Sequence, residues 1–420
     1  MQSNGPVAVT GMGVISSNAI GVKAFSAALK RGESGIRQIT ECDTCRVNTH
    51  FAASVVDFDP TSAMEARDVR RVPRMVPFAV AATREAIEMS GLPLSATNID
   101  LSRNVGVSLG TGGGGLHFVE AQYKAFFSGA GKFSPFSITS GTHGNLSSEI
   151  SIQFGLRGSS HVVSTGCTSS TDAIGYAAML IQNGRLPVMV AGGADAPIAE
   201  GILHGFEVMQ VLAKQTDPLA RACRPFSLDR DGLVLGEGAW MFVLEDMGHA
   251  RKRGAKILAE IHGWGSTCDA FHRVQPAPDC TEGVRAIELA LAGAGVSREA
   301  IEYVNLHGTS TQLNDALETL AMKKAFGERA YKIPMSATKS MIGHPQGACG
   351  AAGLAATILS LREGFIHPTT NYGQPDPSCD LNYTANFASE TRAQWALCNC
   401  IAFGSKNSAL VVRVHRPDLS

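Results

Sequence analysis

Residues 161–182, HVVSTGCTSSTDAIGYAAMLIQ, contain the pattern that decides the fold of this chain. The apolar pair Val162 and Val163 ends a strand, and the next three residues form a tight turn. From Cys167 onward, small and apolar residues recur at the spacing of one helical face. The stretch therefore predicts a strand, a turn and a helix, with a thiol where the helix begins.

A thiol at a helix start has two interpretations. The first turn of a helix carries unpaired N–H groups and a partial positive charge, both of which favour a thiolate over a thiol. The pKa of Cys167 would then fall well below its reference value of about 8.5, and the residue would be a nucleophile. Free cysteine also packs as a small apolar residue, so a buried structural role stays open at this point.

The same plan recurs later in the chain. A strand over residues 333–336 leads into a turn that bears Lys339 and His344, and a small-residue helix follows from Pro345. Strands and helices alternate elsewhere, which indicates an α/β fold. We therefore predict two related halves, which are residues 1–252, with Cys167, and residues 253–420, with His307, Lys339 and His344.

Length and charge limit the classes of protein. The chain has 420 residues, which exceeds the usual size of a single hydrophobic core. Its formal net charge is −1, so it has no global field that would attract nucleic acid or an anionic membrane. A charged partner must instead meet a local patch, and the sequence offers one short basic run, formed by Arg67, Arg70, Arg71 and Arg74. A solvated helix flank is the alternative interpretation of that run.

The sequence also predicts a cytoplasmic location. No basic residue precedes Lys23 and no continuous apolar segment follows, so no secretory signal is expected. No stretch reaches the roughly 20 apolar residues that cross a bilayer, which argues against membrane insertion. Ten cysteines are scattered along the chain, as expected in a reducing compartment. One C-x-x-C motif, at residues 42–45, has no second pair of that spacing and does not indicate a zinc site.

A glycine run at residues 110–115, GTGGGG, formally satisfies the dinucleotide-binding pattern G-x-G-x-x-G. A dinucleotide fold would also require a second strand that ends in an acidic residue about 20 positions later, and the segment after Gly115 contains none. The Gly-Lys-Ser/Thr ending of a phosphate-binding P-loop is also missing. A NAD-dependent dehydrogenase is therefore a weak alternative.

Four residues suggest a common site: Cys167, His307, Lys339 and His344. The last three close or follow apolar strands in glycine-rich turns, and a parallel α/β fold exposes such positions to one crevice. Each histidine taken alone is more typical of a structural residue. Four chemically active residues at strand ends favour a catalytic site.

At these positions the chain resembles the β-ketoacyl carrier-protein synthases of the thiolase superfamily, and most closely the elongating type II enzymes with Cys-His-His sites. The resemblance covers nearly the whole chain and includes a Phe-Gly turn near residue 403. Its motifs, in chain order, are VAVTGMGVIS (7–16), VVSTGCTSS (162–170), RPFSLDRDGLVLGEGA (224–239), NLHGTSTQLNDALET (305–319) and SATKSMIGHPQGACGAAG (336–353).

The resemblance implies a thiolase-like fold in which two duplicated βαβαβαββ halves form α-β-α-β-α layers. It makes Cys167 the acylated nucleophile, and His307 and His344 the pair that promotes decarboxylation. Lys339 becomes a conformational and electrostatic support with Glu318 as its partner. The backbone N–H groups of Cys167 and Phe403 would form the oxyanion hole.

Substrate contacts are also implied by the resemblance. Thr309 and Thr311 would hold the pantetheine arm, Phe403 would move to admit substrate, and the arginine run would meet the acidic carrier protein. Two departures from the family pattern concern the acyl chain. Gly113 stands where the bacterial elongation enzymes carry a bulkier residue, which predicts a wider pocket. The usual Gly-Phe-Gly-Gly turn is here Ala402-Phe403-Gly404-Ser405, which restricts the backbone.

The implied reaction is a decarboxylating Claisen condensation of acyl-Cys167 with malonyl-acyl carrier protein in fatty acid elongation. Substrates would arrive on phosphopantetheine, and no metal, nicotinamide or flavin would be needed. A homodimer is expected. The alternative is the catalytic ketosynthase of a type II polyketide or polyene pathway, which would pair with a chain-length-factor homologue. A non-catalytic partner subunit is a third hypothesis, against which the intact set of active residues argues.

Overall fold

The computed structural model describes residues 5–94, 98–129, 131–214 and 216–416. Within these ranges, no helix is both long and apolar enough to cross a membrane. The described strands are β1 (Val7–Ser16), β2 (Ala19–Ile20), β3 (Ile36–Gln38), β4 (Phe51–Ala53), β5 (Val105–Gly110), β6 (Ser160–Val163), β7 (Val188–Asp195), β8 (Gly238–Asp246), β9 (Ala259–Cys268), β10 (Tyr303–Asn305), β11 (Met335–Ser336), β12 (Phe365–Ile366), β13 (Ser389–Glu390), β14 (Trp395–Ala402) and β15 (Lys406–Val414).

Helices connect most of these strands. The described α-helices are α1 (Val22–Arg31), α2 (Ala66–Val69), α3 (Met75–Ser90), α4 (Ile99–Arg103), α5 (Leu116–Ser128), α6 (Ser137–Gly141), α7 (Asn145–Phe154), α8 (Ser169–Gln182), α9 (Glu200–Val208), α10 (Met247–Lys252), α11 (Thr281–Ala294), α12 (Gln312–Phe326), α13 (Lys339–Ile342) and α14 (Cys349–Arg362). Two short 3₁₀ turns, Gly166–Thr168 and Gln346–Ala348, lead into α8 and α14.

The strand order shows an internal duplication. In the first half the order is β6-β5-β7-β8-β1, and in the second it is β11-β10-β14-β15-β9. Both halves therefore follow the order third, second, fourth, fifth, first. Parallel and antiparallel pairings also occur at the same places in the two halves. The predicted duplication is confirmed, whereas the predicted boundary between residues 252 and 253 stays a prediction.

Each half of the sheet is apolar on both faces. In β7, Val188 and Val190 belong to one apolar cluster, while Met189 and Ala191 belong to another. Successive side chains of a strand point to opposite faces, so this alternation places one cluster on each side of the sheet. A strand that is buried on both faces needs a covering layer on each.

Three apolar clusters join five layers, because the central cluster fills the interfaces on both sides of the middle helices. The first cluster joins α3 and α7 to the outer face of the first half, and the second surrounds α8 and α14 between the two halves. The third joins α11 and α12 to the outer face of the second half. The order α-β-α-β-α, predicted from the family resemblance, is confirmed.

The two central helices begin side by side. A Cβ atom added to Gly350 would lie 2.0 Å from Oγ1 of Thr171, so only glycine permits this approach. Both helices begin slightly later than the sequence predicts, because each is preceded by a 3₁₀ turn. Cys167 lies in the first turn, whereas Cys349 is the first residue of α14. Pro345 precedes the second turn rather than opening a helix.

Candidate active site

A cavity of about 200 Å³ lies where strands of both halves end. The segment after β6 brings Cys167 to its wall, the segment after β10 brings His307, and the segment after β11 brings His344. The Sγ atom of Cys167 and a nitrogen atom of each histidine ring lie within 4.8 Å of one another. The wall consists of Cys167, Met209, Val211, Leu233, Val274, Gln275, Pro276, His307, Thr309, Thr311, Leu313, Asn314, His344, Ile401, Ala402 and Phe403.

Cys167 is buried, with 5% of its surface exposed. Burial raises the pKa of its thiol to about 12, and the neighbouring Cys349 adds to this effect. The charge of Lys339 and a hydrogen bond from the backbone N–H of Phe403 act in the opposite direction but do not outweigh burial. Burial therefore acts against the low pKa that a helix start would favour. The resting residue is a neutral thiol that must lose its proton before it reacts.

Lys339 determines which ring nitrogen of His307 carries the proton. The ammonium group of Lys339 lies 3.2 Å from Nδ1 of His307 and also donates to its carbonyl oxygen. Burial, followed by the charge of Lys339, lowers the pKa of His307 well below its ordinary value, so the ring is neutral. An ammonium group has no lone pair, so Nδ1 must accept and Nε2 carries the proton. His307 is thus a donor through Nε2.

His344 has a different environment. Its ring makes an edge contact with that of His307, with centroids 5.5 Å apart and planes at 85°. Burial, followed by the charge of Lys339, lowers the pKa of His344 well below its ordinary value. Its Nδ1 atom is buried and has no hydrogen-bond partner among the described residues. His344 is therefore a neutral imidazole whose proton can reside on either nitrogen.

Glu318 supports His307 from below the cavity. Its carboxylate accepts hydrogen bonds from the backbone N–H groups of His307 at 2.7 Å and Gly308 at 2.8 Å, and from the Asn399 amide at 2.6 Å. Burial raises the pKa of Glu318 to about 7 against these three bonds. The direct partner of Lys339 is His307, and Glu318 acts on Lys339 through its charge. The predicted support of Lys339 by Glu318 is therefore electrostatic rather than a direct hydrogen bond, and its role in the reaction stays a prediction.

Asp195, at the end of β7, belongs to the site although no sequence motif above includes it. Its buried carboxylate accepts from the N–H groups of Gly112 at 2.7 Å, Gly113 at 3.0 Å and Gly347 at 2.7 Å. It thereby joins the glycine loop to the turn before α14. These N–H groups are occupied and do not face a pyrophosphate, which argues against the dinucleotide interpretation. An acidic residue that ends a buried strand was the available signal.

Gly113 is not part of the cavity wall described above. A Cβ atom at this position would meet Oδ1 of Asp195 at 3.4 Å, which is ordinary contact. Its role in acyl chain length therefore stays a prediction.

Thr309 and Thr311 face the cavity together. Their Oγ1 atoms are 2.8 Å apart, and the carboxylate of Asp315 holds the N–H group of Thr309 at 3.0 Å. The pair provides two hydroxyl groups on a mostly apolar wall. A substrate arm with amide groups could form hydrogen bonds with them.

The turn that carries Phe403 is held by Ser405. Gly404 and Ser405 have φ values of 82° and 65°, in the left-handed region that favours glycine. The hydroxyl group of Ser405 accepts from the N–H of His272 at 3.1 Å and donates to its carbonyl oxygen at 2.8 Å. With a further, longer bond from the N–H of Phe271 at 3.4 Å, serine adds three hydrogen bonds that a glycine would not make.

The four arginines predicted to dock the carrier protein have different environments in the structure. Arg74 forms an ion pair of 2.7 Å with the fully buried Glu237, so it has a structural role rather than the predicted docking role. Arg71 pairs with Asp68 at 2.9 Å but keeps 47% of its side chain exposed. Arg67 and Arg70 are exposed as well.

Among the residues that the structure describes, two groups of side chains have the spacing of metal ligands. One is Cys167 with His307 and His344, and the other is His307 with Cys349 and Cys400. The ammonium group of Lys339, beside Nδ1 of His307, repels a cation at either position. The donor sets therefore fit acid–base and nucleophilic chemistry better than metal binding.

A duplicated five-layer fold, with a cysteine and two histidines around one cavity, defines the thiolase-like class. The family model described as beta-ketoacyl synthase, N-terminal domain, matches residues 4–250, and the C-terminal domain model matches residues 258–373. The chain belongs to the β-ketoacyl synthase family, which confirms the resemblance.

Relatives and solved structures agree with this assignment. The 3-oxoacyl-[acyl-carrier-protein] synthase 2 of Coxiella burnetii is 38% identical over 97% of this chain and 98% of its own. That of Staphylococcus aureus is 35% identical over 98% and 99%. A ketosynthase structure described as the ishigamide ketosynthase/chain length factor has a TM-score of 0.90 and 33% identity, covering 98% of this chain and 99% of its own. A type II polyketide ketosynthase in complex with its acyl-carrier protein has a TM-score of 0.88 and 30% identity, covering 98% and 99%.

Proposed function

We propose that this enzyme condenses an acyl group held on Cys167 with malonyl-acyl carrier protein, releasing CO2 and a β-ketoacyl-acyl carrier protein. One observation carries the proposal: a thiol and two neutral imidazoles share the wall of a single cavity with a hydroxyl pair. The nucleophile divides one difficult condensation into two easier transfers.

The first transfer acylates Cys167. The thiol is neutral at rest, so a base within reach must accept its proton. Nδ1 of His307 faces Lys339, whereas His344 has a free lone pair, so we assign proton acceptance to His344. The thiolate attacks the acyl carbonyl, and the departing pantetheine thiolate takes the proton back. The N–H groups of Cys167 and Phe403 hold the oxyanion.

The second transfer begins with malonyl decarboxylation. Loss of CO2 builds negative charge on the thioester oxygen, and two N–H donors fixed in a buried site stabilise that charge. Nε2–H of His307 and one N–H of His344 supply them. The resulting carbanion attacks the acyl carbonyl on Cys167, the bond between the carbonyl carbon and Sγ breaks, and Cys167 leaves as a thiolate that regains its proton from solvent. Lys339 keeps the donor on Nε2 of His307 throughout.

The proposed reaction needs no cofactor. Carbon dioxide loss drives the bond formation, and protein N–H groups replace a Lewis acid. Both substrates would arrive on the phosphopantetheine of an acyl carrier protein, with Thr309 and Thr311 along its path. We propose that the exposed Arg67, Arg70 and Arg71 meet this acidic partner, in the cytoplasm.

Fatty acid elongation is the first candidate pathway, because the curated relatives above are 3-oxoacyl-[acyl-carrier-protein] synthases. Polyketide or polyene synthesis is the second, because a solved structure with a TM-score of 0.90 is described as a ketosynthase/chain length factor. The two candidates differ in the subunit partner, which is a second copy in the first and a chain-length-factor homologue in the second.

A surface suited to either subunit partner is present. Phe126, Phe127 and Phe133 are 64%, 81% and 44% exposed, and the ring of Phe126 contacts the other two rings. Such a contiguous aromatic patch is typical of an interface. The edge strand β6 is also unpaired on one side within the described sheet. Native mass spectrometry of the purified chain would show a dimer if a second copy is the partner, and a monomer if a homologue is needed.

The activity is tested by mixing the enzyme with an acyl carrier protein series of increasing chain length and malonyl-acyl carrier protein. We expect CO2 and β-ketoacyl products two carbons longer than the acyl donor. If saturated acyl chains react and polyketide intermediates do not, the fatty acid pathway is favoured. Absence of both CO2 and β-ketoacyl product with every acyl donor of the series would overturn the proposal.

A further inference from the structure

Two cysteines that the proposed reaction does not use lie directly behind the nucleophile. Cys349 opens α14 and Cys400 lies in β14, and their Sγ atoms are 3.7 Å apart. Both are buried, with 4% and 2% of their surface exposed. They pack with Cys167 and Ala402 in one small cluster.

Both thiols are directed at the same acceptor. The Sγ atom of Cys349 lies 3.1 Å from the carbonyl oxygen of Cys167, and that of Cys400 lies 3.2 Å from it. In each contact an S–H group can donate a hydrogen bond to the 3₁₀ turn that carries the nucleophile. Sγ of Cys400 is also within hydrogen-bond distance of Sγ of Cys349, so its single proton is shared between that sulfur and the carbonyl oxygen. The turn is therefore held by the S–H groups of this pair, one in the helix of the second half and one in the strand that leads to Phe403.

We propose that Cys349 and Cys400 form a redox-sensitive pair, and that a hydroperoxide converts them into a disulfide which releases the turn of Cys167. The sulfur atoms are close enough that side-chain rotation and a small backbone shift would bring them to the bonding distance of about 2.05 Å. Formation of this bond does not depend on the proposed function, but its effect on activity rests on it.

The chemistry balances with one hydroperoxide. The thiolate of Cys349 attacks the peroxide oxygen, which gives a sulfenic acid and releases water or an alcohol after protonation. The thiol of Cys400 then attacks the sulfenic sulfur, an S–S bond forms and water leaves. Two thiols are oxidised and one peroxide bond is reduced. A dithiol reverses the step by thiol–disulfide exchange.

The surroundings favour this order of events. Burial raises the pKa of the Cys349 thiol, but the hydrogen bond from Cys400 and the charge of Lys339 outweigh it and leave that pKa lowered. The path from the substrate cavity to the two thiols is short. Sγ of Cys400 lies 3.4 Å from Nδ1 of His307, and His307 borders the cavity. A single side chain thus separates the pair from space that a small peroxide can enter.

Oxidation would remove both donors from the carbonyl of Cys167 at once. It would also fix the start of α14 to β14, three residues before Phe403. Both changes misplace N–H groups of the proposed oxyanion hole. Loss of one oxyanion donor slows such enzymes by about 10²–10³-fold, so we expect a reversible loss in that range or slightly below it.

The test treats the whole enzyme with limiting hydrogen peroxide and maps its peptides before and after reduction. We expect a cross-linked peptide pair containing Cys349 and Cys400, two hydrogens lighter than the sum of the reduced peptides. Activity should return with a dithiol. Cys400→Ser cannot form the disulfide, but its hydroxyl group can still donate a hydrogen bond. When the activity of this variant is divided by that of the same variant without peroxide, the reversible part of the loss should disappear.

Cys398→Ser is the matched control. Cys398 lies in the same strand, is buried and contacts Oγ1 of Thr357 at 3.4 Å, so its replacement should leave the peroxide response intact. The proposal is overturned if Cys349 and Cys400 remain alkylatable thiols when half the activity is lost reversibly. It is also overturned if Cys400→Ser loses activity reversibly as the wild type does. Mapping of the wild type decides the matter even if the variants do not fold.

Discussion

Cys167 and Cys349 occupy similar places in the two halves and differ in what surrounds their sulfur atoms. Each lies at the start of a central helix, and each is buried, at 5% and 4% exposure. Cys167 borders the cavity, beside two histidines and the N–H of Phe403. Cys349 instead faces Cys400 and the carbonyl oxygen of Cys167. A place at a helix start therefore does not by itself make a cysteine the nucleophile; access to a cavity with hydrogen-bond donors does.

The halves also divide the chemistry. The first contributes the thiol, whereas the second contributes both histidines and Lys339, although the strand order is the same in both. Duplication places corresponding strand ends at one cavity, so groups from distant parts of the chain meet there. Substitution at equivalent positions can therefore separate nucleophile from acid–base function.

The largest expected effect comes from removing each cysteine in turn. Cys167→Ala should slow condensation by about 10⁴-fold or more, because the covalent intermediate is lost. Cys349→Ala should remain within about tenfold of the wild type, since only a supporting hydrogen bond is lost. Rates of β-ketoacyl product formation measure both. Losses of equal size would remove the distinction between the two positions.

The second effect separates the halves of the reaction. Cys167→Gln should still decarboxylate malonyl-acyl carrier protein, because His307 and His344 act without the thiol. Adding His344→Ala should lower CO2 release by about 10²–10³-fold, as expected for a lost donor to the enolate. Release of labelled CO2 measures it. Decarboxylation that disappears in Cys167→Gln alone would contradict the division of roles.

The third effect is a pH dependence that belongs to Glu318. The pKa values of both histidines lie well below their ordinary range, so neither histidine gains a proton near pH 7. The rate of decarboxylation should therefore decrease as the pH falls through about 7, where Glu318 gains its proton. Glu318→Gln should be slower and should lack this limb. The folded pKa lies above the reference value of 4.5, so Glu318 contributes less to stability as pH rises between 4.5 and about 7. A limb near pH 7 that persists in the variant would assign it to another group.

The smallest effect concerns the arginine run. Reversal of Arg70 and Arg71 to Glu should raise KM for acyl carrier protein several-fold at low salt, and salt should reduce the difference because it screens charges over about 8 to 10 Å. Alkylation of Cys167 by a small electrophile should stay normal. Arg74→Glu is the control for an arginine whose role is structural. It should lower the free energy of unfolding by about 3 kcal/mol, because it leaves the buried carboxylate of Glu237 without its cationic partner. An unchanged KM at low salt would place the docking surface elsewhere.

Much of the fold and the central residues of the site could be predicted from sequence. Periodic apolar residues gave the strands and helices, and the repeated strand-turn-helix pattern indicated duplication. Strand ends with Cys167, His307 and His344 indicated the cavity. Each of these features depends on neighbouring residues, so it can be recognised within one short stretch of sequence.

The rest depends on contacts between distant residues. The pKa of Cys167 is set by burial, which the helix start alone does not reveal. The pairing of Arg74 with Glu237, 163 positions later, cannot be seen from the basic run. Cys400 and Asp195 likewise acquire their roles only when β14 and β7 bring them to the turns that precede the central helices.

The most direct test of the account is to find which cysteine is acylated. The enzyme is incubated with acyl-acyl carrier protein without malonyl substrate, and its peptides are mapped by mass spectrometry. We predict one acyl group, on the peptide that contains Cys167, and unmodified Cys349. An acyl group on Cys349, or on any cysteine other than Cys167, would contradict the claim that the cavity and its donors select the nucleophile.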